Sequence, residues 1–119
     1  MDESVLIVGV GSGLSASLAR LCSSKGMKVV LAARNVEKLE DLKKEVKAET
    51  YKCDSSDIES VRNLFKETDK TIGTPNLVIY NSSTRLKGSI TELDPKKTQE
   101  AINVTCFGAF LVAQEVSKR

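Results

Sequence analysis

Apolar runs of strand length alternate with stretches of helical period along the whole chain. Ser4–Val8 (SVLIV) is nearly continuous in apolar residues and ends at a glycine cluster, the pattern of a strand buried on both faces. From Leu14 the apolar positions Leu14, Leu18, Ala19, Leu21 and Cys22 recur at helical spacing until Gly26. Lys28–Ala33 (KVVLAA) is a second buried strand. Asn35 is placed to cap a helix whose inner face is Val36, Leu39, Leu42 and Val46 and whose outer face carries the mixed charges Glu37 to Lys47. Glu49–Cys53 (ETYKC) is a weaker third strand. Ser56-x-x-Glu59 has the form of a capping box, opening a helix with Ile58, Val61, Leu64 and Phe65 inward. Gly73-Thr74-Pro75 breaks that helix, and Leu77–Tyr80 (LVIY) is a fourth buried strand. A polar loop, Asn81 to Leu93, then leads to Asp94-Pro95, a cap and an N1 proline before a last long helix to about Lys118.

The expected order is β-α-β-α-β-α-β-α, with helices where hairpins would otherwise be. Parallel strands joined by right-handed helical crossovers form an open, doubly wound α/β sheet. The chain shows no repeat, low-complexity stretch or linker, so residues 1–119 are expected to form a single domain.

Composition narrows the chemistry. The chain is 40% hydrophobic and 29% charged, as soluble globular proteins are, and contains no histidine, which excludes a His-based triad, general base or metal site built from these residues alone. With 18 basic against 16 acidic residues the net charge is only +2, so neither nucleic acid nor a membrane surface is an expected partner. The acidic start Met1-Asp2-Glu3 and the brevity of every apolar run argue against a signal peptide or membrane span, and a cytoplasmic location is expected. Cys22, Cys53 and Cys106 are scattered without C-x-x-C spacing and are expected to be reduced, mostly buried thiols.

The glycine cluster Gly9-Val10-Gly11-Ser12-Gly13-Leu14 lies where the first strand turns into the first helix. Glycines there allow a tight turn and close approach to a pyrophosphate, which then meets free N–H groups at the helix start. A glycine-rich turn serving only helix–strand packing is the alternative, but the placement between a buried strand and a helix favours the phosphate loop. The second strand ends Ala32-Ala33-Arg34, about 20 residues further on, where an NAD site carries Asp or Glu for the ribose diol. No carboxylate stands there. Arg34 offers a charged fork suited to a 2′-phosphate and Ser12 a further donor, so NADP(H) is expected in preference to NAD(H).

Taken in order, these residues resemble the short-chain dehydrogenase/reductase family, and the resemblance covers the entire chain. Gly9-Val10-Gly11-Ser12-Gly13-Leu14-Ser15 is similar to the family's T-G-x-x-x-G-x-G loop, with Val8 for threonine and Ser15 for the last glycine. Leu31-Ala32-Ala33-Arg34-Asn35 resembles the NADP-preferring end of the second strand. Cys53-Asp54-Ser55 resembles the turn after the third strand, where the resemblance has Asp54 hold the adenine amino group. Tyr80-Asn81-Ser82-Ser83 stands where the family has N-N-A-G, Asn81 being the match. Asn103-Val104-Thr105-Cys106-Phe107-Gly108-Ala109-Phe110 is similar to the N-x-x-G-x-F helix, and by that match Asn103 is the catalytic asparagine that braces a proton-relay water. The resemblance thus implies a Rossmann-like fold and a dinucleotide site comprising Gly9, Gly11, Ser12, Gly13, Leu14, Arg34, Asn35, Asp54, Ser55, Asn81 and Ser82.

The family's remaining chemistry, a serine and a Tyr-x-x-x-Lys pair, is not in these residues. The tyrosines are Tyr51 and Tyr80, and four positions on stand Ser55 and Thr84. The 119 residues are therefore expected to be the N-terminal part of a longer reductase, ending before a fifth strand, with a small carbonyl or alcohol as its substrate. The last helix, apolar nearly all round, is expected to be covered on more than one side. In the family it contributes to a subunit interface, which implies a homo-oligomer through residues 95–118. Two other functions fit parts of the sequence. One is a non-catalytic NADP-binding module that kept the loop and lost the tyrosine. The other is a phospho-accepting receiver domain, suggested by Asp54 alone. A receiver needs acidic residues after its first strand to bind Mg²⁺, and Gly9 to Gly13 stand there instead.

Overall fold

The computed structural model describes residues 2–119. Four parallel strands, β1 (Ser4–Val8), β2 (Lys28–Ala33), β3 (Glu49–Lys52) and β4 (Leu77–Tyr80), form one sheet in the order β3-β2-β1-β4. Leu6 pairs with Val30 and Val78, and Val8 with Ala32 and Tyr80, so the C-terminal ends of β1, β2 and β4 come level at one edge. The connections are helical: α1 (Leu14–Ser24), a 3-10 turn (Val36–Leu39) running into α2 (Glu40–Val46), and α3 (Ile58–Ile72). After β4 come α4 (Pro95–Ile102), a π-helical segment (Asn103–Phe107) and α5 (Gly108–Ser117). The doubly wound α/β architecture is as expected.

Successive side chains of a strand point to opposite faces, and both faces here are covered. Val5, Ile7, Val29 and Leu31 pack with Ala16, Ala19 and Cys22 of α1 and with Leu39, Leu42 and Val46. Leu6, Val8, Val30 and Ala32 pack on the other side with Val61, Leu64 and Phe65 of α3 and Leu111 and Val112 of α5. That is why β1 and β2 are continuous apolar runs rather than alternating ones.

Several local expectations are corrected. Helix α1 turns Ser15, Ala16, Ala19 and Cys22 inward, while Leu14 and Leu21 are exposed, because a helix seated this close to the sheet presents its small side chains to it. Ile58, at the mouth of α3, is exposed too. The cap of α3 is Asp57, whose Oδ2 accepts from Ser60 N at 3.0 Å; Ser56 instead donates its hydroxyl to Asp54 Oδ1 at 2.7 Å. Strand β4 is half-buried rather than buried, since β1 flanks it on one side and its other edge is open. The last helix is interrupted by the π segment, and α4 has no buried residue. Cys106 lies exposed on that segment, while Cys22 and Cys53 are buried. Among the described residues, no helix is long and apolar enough to cross a membrane.

Candidate functional site

The chain leaves β1 toward β2 on one side and returns to β4 on the other, so a crevice opens where the strand order reverses, at the carboxyl ends of the strands. It is a groove of about 670 Å³, within the range of small-molecule sites. Of the expected residues, Gly9, Gly11, Ser12, Arg34, Asn35, Ser55, Asn81 and Ser82 line it. Gly13, Leu14, Asp54 and Asn103 do not.

The glycine loop divides into two parts. Gly9 and Val10 have their amides committed, both donating to Ala32 O at 2.9 and 3.2 Å, which ties the loop to the end of β2. Gly9 has φ +92°, and a Cβ there would lie 2.6 Å from the backbone carbonyl of Asn81. This glycine is required by the protein's own close packing. Gly11 and Gly13 would meet no protein atom within 4 Å with a Cβ added, so their bareness leaves space open on the solvent side. The amides that open α1 have no intrahelical acceptor, and no side chain caps them.

At the end of β2, Arg34 and Asn35 are exposed on the groove. Asn35 Oδ1 accepts from Glu37 N at 3.1 Å, starting the 3-10 turn. Side chains three apart eclipse on such a turn, and Lys38 accordingly lines the groove beside Asn35. Arg20 lines it as well but is paired with Glu45 at 2.6 Å. Arg34 and Lys38 form no ion pair within 4 Å among the described residues, and Asp41 lines the same groove.

Beyond β3, Asp54 directs its carboxylate to Ser56, accepting from the hydroxyl at 2.7 Å and the amide at 3.0 Å. The Ser56 hydroxyl chiefly, and the Arg34 guanidinium further off, hold this carboxyl below its ordinary range. Cys53 lines the groove floor, and burial pushes its thiol above the usual value.

Asn103 opens the π segment, and its neighbour Val104 reaches the groove. Two contacts hold this segment: the Tyr80 hydroxyl donates to Val104 O, and Thr84 N donates to Thr105 Oγ1 at 3.3 Å. Gly108 follows, and a Cβ there would lie 2.7 Å from Ser55 O and closer still to the Tyr80 hydroxyl. Sequence reasoning missed the part of Tyr80, although its position, where the family has asparagine, set it apart. It also missed Ser15, read only as a departure from glycine. The Ser15 hydroxyl donates to Gly9 O at 2.8 Å and accepts from Asn81 Nδ2 at 2.9 Å, linking the glycine loop to the end of β4.

Comparison with known proteins places this arrangement. Residues 3–119 match the family model described as short chain dehydrogenase. An uncharacterized oxidoreductase of Staphylococcus aureus is 31% identical over 116 residues, covering 95% of this chain and 50% of the relative. One of Staphylococcus saprophyticus is 26% identical, covering 97% and 52%. The chain thus spans about half the length of the curated relatives it matches. Among solved structures, a variant of actinorhodin polyketide ketoreductase with NADPH superposes with a TM-score of 0.93 at 24% identity, covering 98% of this chain and 47% of the other. A short-chain type dehydrogenase/reductase from Mycobacterium marinum does so with a TM-score of 0.93 at 21% identity, over 98% and 49%. These two likenesses speak for the fold. With a glycine-turned crevice at the switch point of a 3-2-1-4 parallel sheet, and a family match running nearly end to end, the chain belongs to the short-chain dehydrogenase family.

Proposed function

We propose that this chain is the cofactor-binding half of an NADP(H)-dependent oxidoreductase that transfers hydride between the nicotinamide and a small carbonyl or alcohol. The observation that carries the reading is the groove itself: a bare glycine turn and uncapped helix amides at one end, and Arg34 with no carboxylate from β2 at the other.

The residues present fit a dinucleotide. Gly11, Ser12, Gly13 and Leu14 would meet the pyrophosphate with backbone amides, since the space a Cβ would occupy at Gly11 and Gly13 is open. Arg34, beside Asn35, would take the 2′-phosphate; a planar, permanently charged fork suits a dianion. Asp54 and Ser55 would border the adenine, and Asn81 and Ser82 the ribose side of the crevice. Asn103, at the π segment, would brace a proton-relay water. When bound, the dinucleotide supplies or accepts the hydride, and the protein orients it. No Tyr-x-x-x-Lys stands in these 119 residues, so general acid–base work falls to a separate segment. The family match favours this reading over a binding module without chemistry.

Residues 1–119 act, in this proposal, as one cofactor-binding domain of a cytoplasmic protein that pairs with a second copy through residues 95–118. The exposed Ile102, Phe107, Phe110 and Val116 support that pairing.

Titration with NADPH and NADH tests the cofactor assignment. NADPH is expected to bind about ten- to a hundredfold tighter, the range of one charged hydrogen-bonded contact. Arg34→Asp is expected to erase or reverse the preference. Equal affinities in the unaltered protein would remove Arg34 from the site.

A further inference from the structure

We propose that Ser15 is a positioning residue that orients the Asn81 side-chain amide, so that Asn81 presents a hydrogen-bond acceptor to the ligand in the groove. The inference rests on the dinucleotide reading above and deepens it: the part of the ligand facing Asn81 is a donor, a ribose hydroxyl.

The argument is one of donor and acceptor counts. A serine hydroxyl has a single proton. That proton goes to Gly9 O, at 2.8 Å, because a carbonyl oxygen can only accept. The Ser15 oxygen is then left as an acceptor, and the atom of Asn81 facing it at 2.9 Å must be the donor, Nδ2. The carboxamide is planar, so fixing Nδ2 against Ser15 turns Oδ1 away from it. Among the described residues no hydrogen bond reaches Oδ1, and Asn81 is exposed on the groove. Alanine or glycine at position 15 would leave the amide free to present either end.

The unit is rigid. Ser15 is 2% exposed, Asn81 N donates to Val8 O at 2.8 Å, and the backbones of Gly9 and Asn81 approach too closely to admit a Cβ. Ser15 thus reads the position of the glycine loop and transmits it to the end of β4, across a separation of 66 residues in sequence.

ADP and its 2′-deoxy and 3′-deoxy analogues serve as probes, with calorimetric affinities for the unaltered protein, Ser15→Ala, Asn81→Ala and the double variant. Ser15→Ala is expected to weaken ADP roughly three- to tenfold, the worth of one neutral hydrogen bond. In the Asn81→Ala background the same change is expected to cost less than about twofold, because a residue acting through Asn81 has nothing left to orient. One of the two deoxy analogues is expected to be insensitive to Ser15→Ala, which identifies the hydroxyl. The Asn81 side-chain amide resonances are expected to be slow to exchange in the unaltered protein and fast in Ser15→Ala. Equal losses in both backgrounds, or amide resonances unmoved by Ser15→Ala, would overturn the assignment. Failure of the unaltered protein to bind ADP or NADPH would defeat the dinucleotide reading instead, and the resonances would still test the orientation.

Discussion

Gly108 shows how far a single residue's meaning depends on what lies opposite it. In sequence it is a lone glycine between Phe107 and Phe110 in an apolar run; in the structure it is the point where α5 touches the Tyr80 hydroxyl and Ser55 O. Gly108→Ala is expected to lower stability by about 1–3 kcal/mol by overpacking, measured by urea unfolding, with part of the loss restored by Tyr80→Phe. Full stability in Gly108→Ala would refute the close contact. Gly9 was legible from the chain because a strand-to-helix turn needs a residue tolerant of positive φ. Ser15 was not, because its hydroxyl partners come from residues 9 and 81, and pairing of that kind leaves no periodic signal.

Capping and packing faces separate the elements that were readable from those that were not. A hydroxyl followed three residues later by glutamate made Ser56 the expected cap, yet Asp57 holds it, because the Asp54 carboxylate draws the Ser56 hydroxyl away. Asp57→Ala is accordingly expected to cost about 0.5–2 kcal/mol, and Ser56→Ala less; the reverse ranking in thermal melts would restore the capping box. Helices α3 and α5 are joined by charge as well as by apolar packing. Arg119 pairs with Asp69 of α3 at 2.6 Å and lies over the Phe65 ring, while the largely buried Glu115 meets Lys118 at 3.0 Å and Arg119 at 3.4 Å. The Lys118 hydrogen bond first, and Arg119 after it, hold the Glu115 carboxyl below its ordinary value. A depressed carboxyl stabilises the fold above its unfolded value, about 4.3 for glutamate, and this contribution is lost as pH falls through the folded value. Melting temperature is expected to drop below about pH 4.3, and Glu115→Gln to shrink that drop while lowering the plateau near neutrality. An identical acid limb in the variant would remove Glu115 from the account.

At the scale of the whole molecule the chain is a slab, 53 × 30 × 20 Å, with a radius of gyration of 14.8 Å; a compact domain of this length is expected near 13.5 Å. The excess reflects a sheet with an open edge at β4 and a helix α4 that buries nothing. Phe107 and Phe110 stack on each other at 6.1 Å between ring centroids while remaining 38% and 54% exposed. Burying such side chains is worth about 1.5–3 kcal/mol each. Sedimentation is therefore expected to show concentration-dependent self-association, and Phe110→Lys to shift the protein toward monomer with little change in NADPH affinity. A monomer at all concentrations would remove residues 95–118 as an interface.

Order and type of the elements follow from the chain alone, because burial on both faces writes β1 and β2 as unbroken apolar runs and the glycine turn announces the first helix. The crevice residues Gly9, Gly11, Ser12 and Arg34 were readable for the same reason: each stands at a strand end that local pattern already locates. Only folding decided the rest. It brought residue 81 against residue 15, turned Leu14 and Leu21 of α1 outward, and broke the last helix with a π segment held by Tyr80. Each of these depends on which backbone arrives opposite, and hydrogen bonding and close packing between distant segments leave no trace in local periodicity.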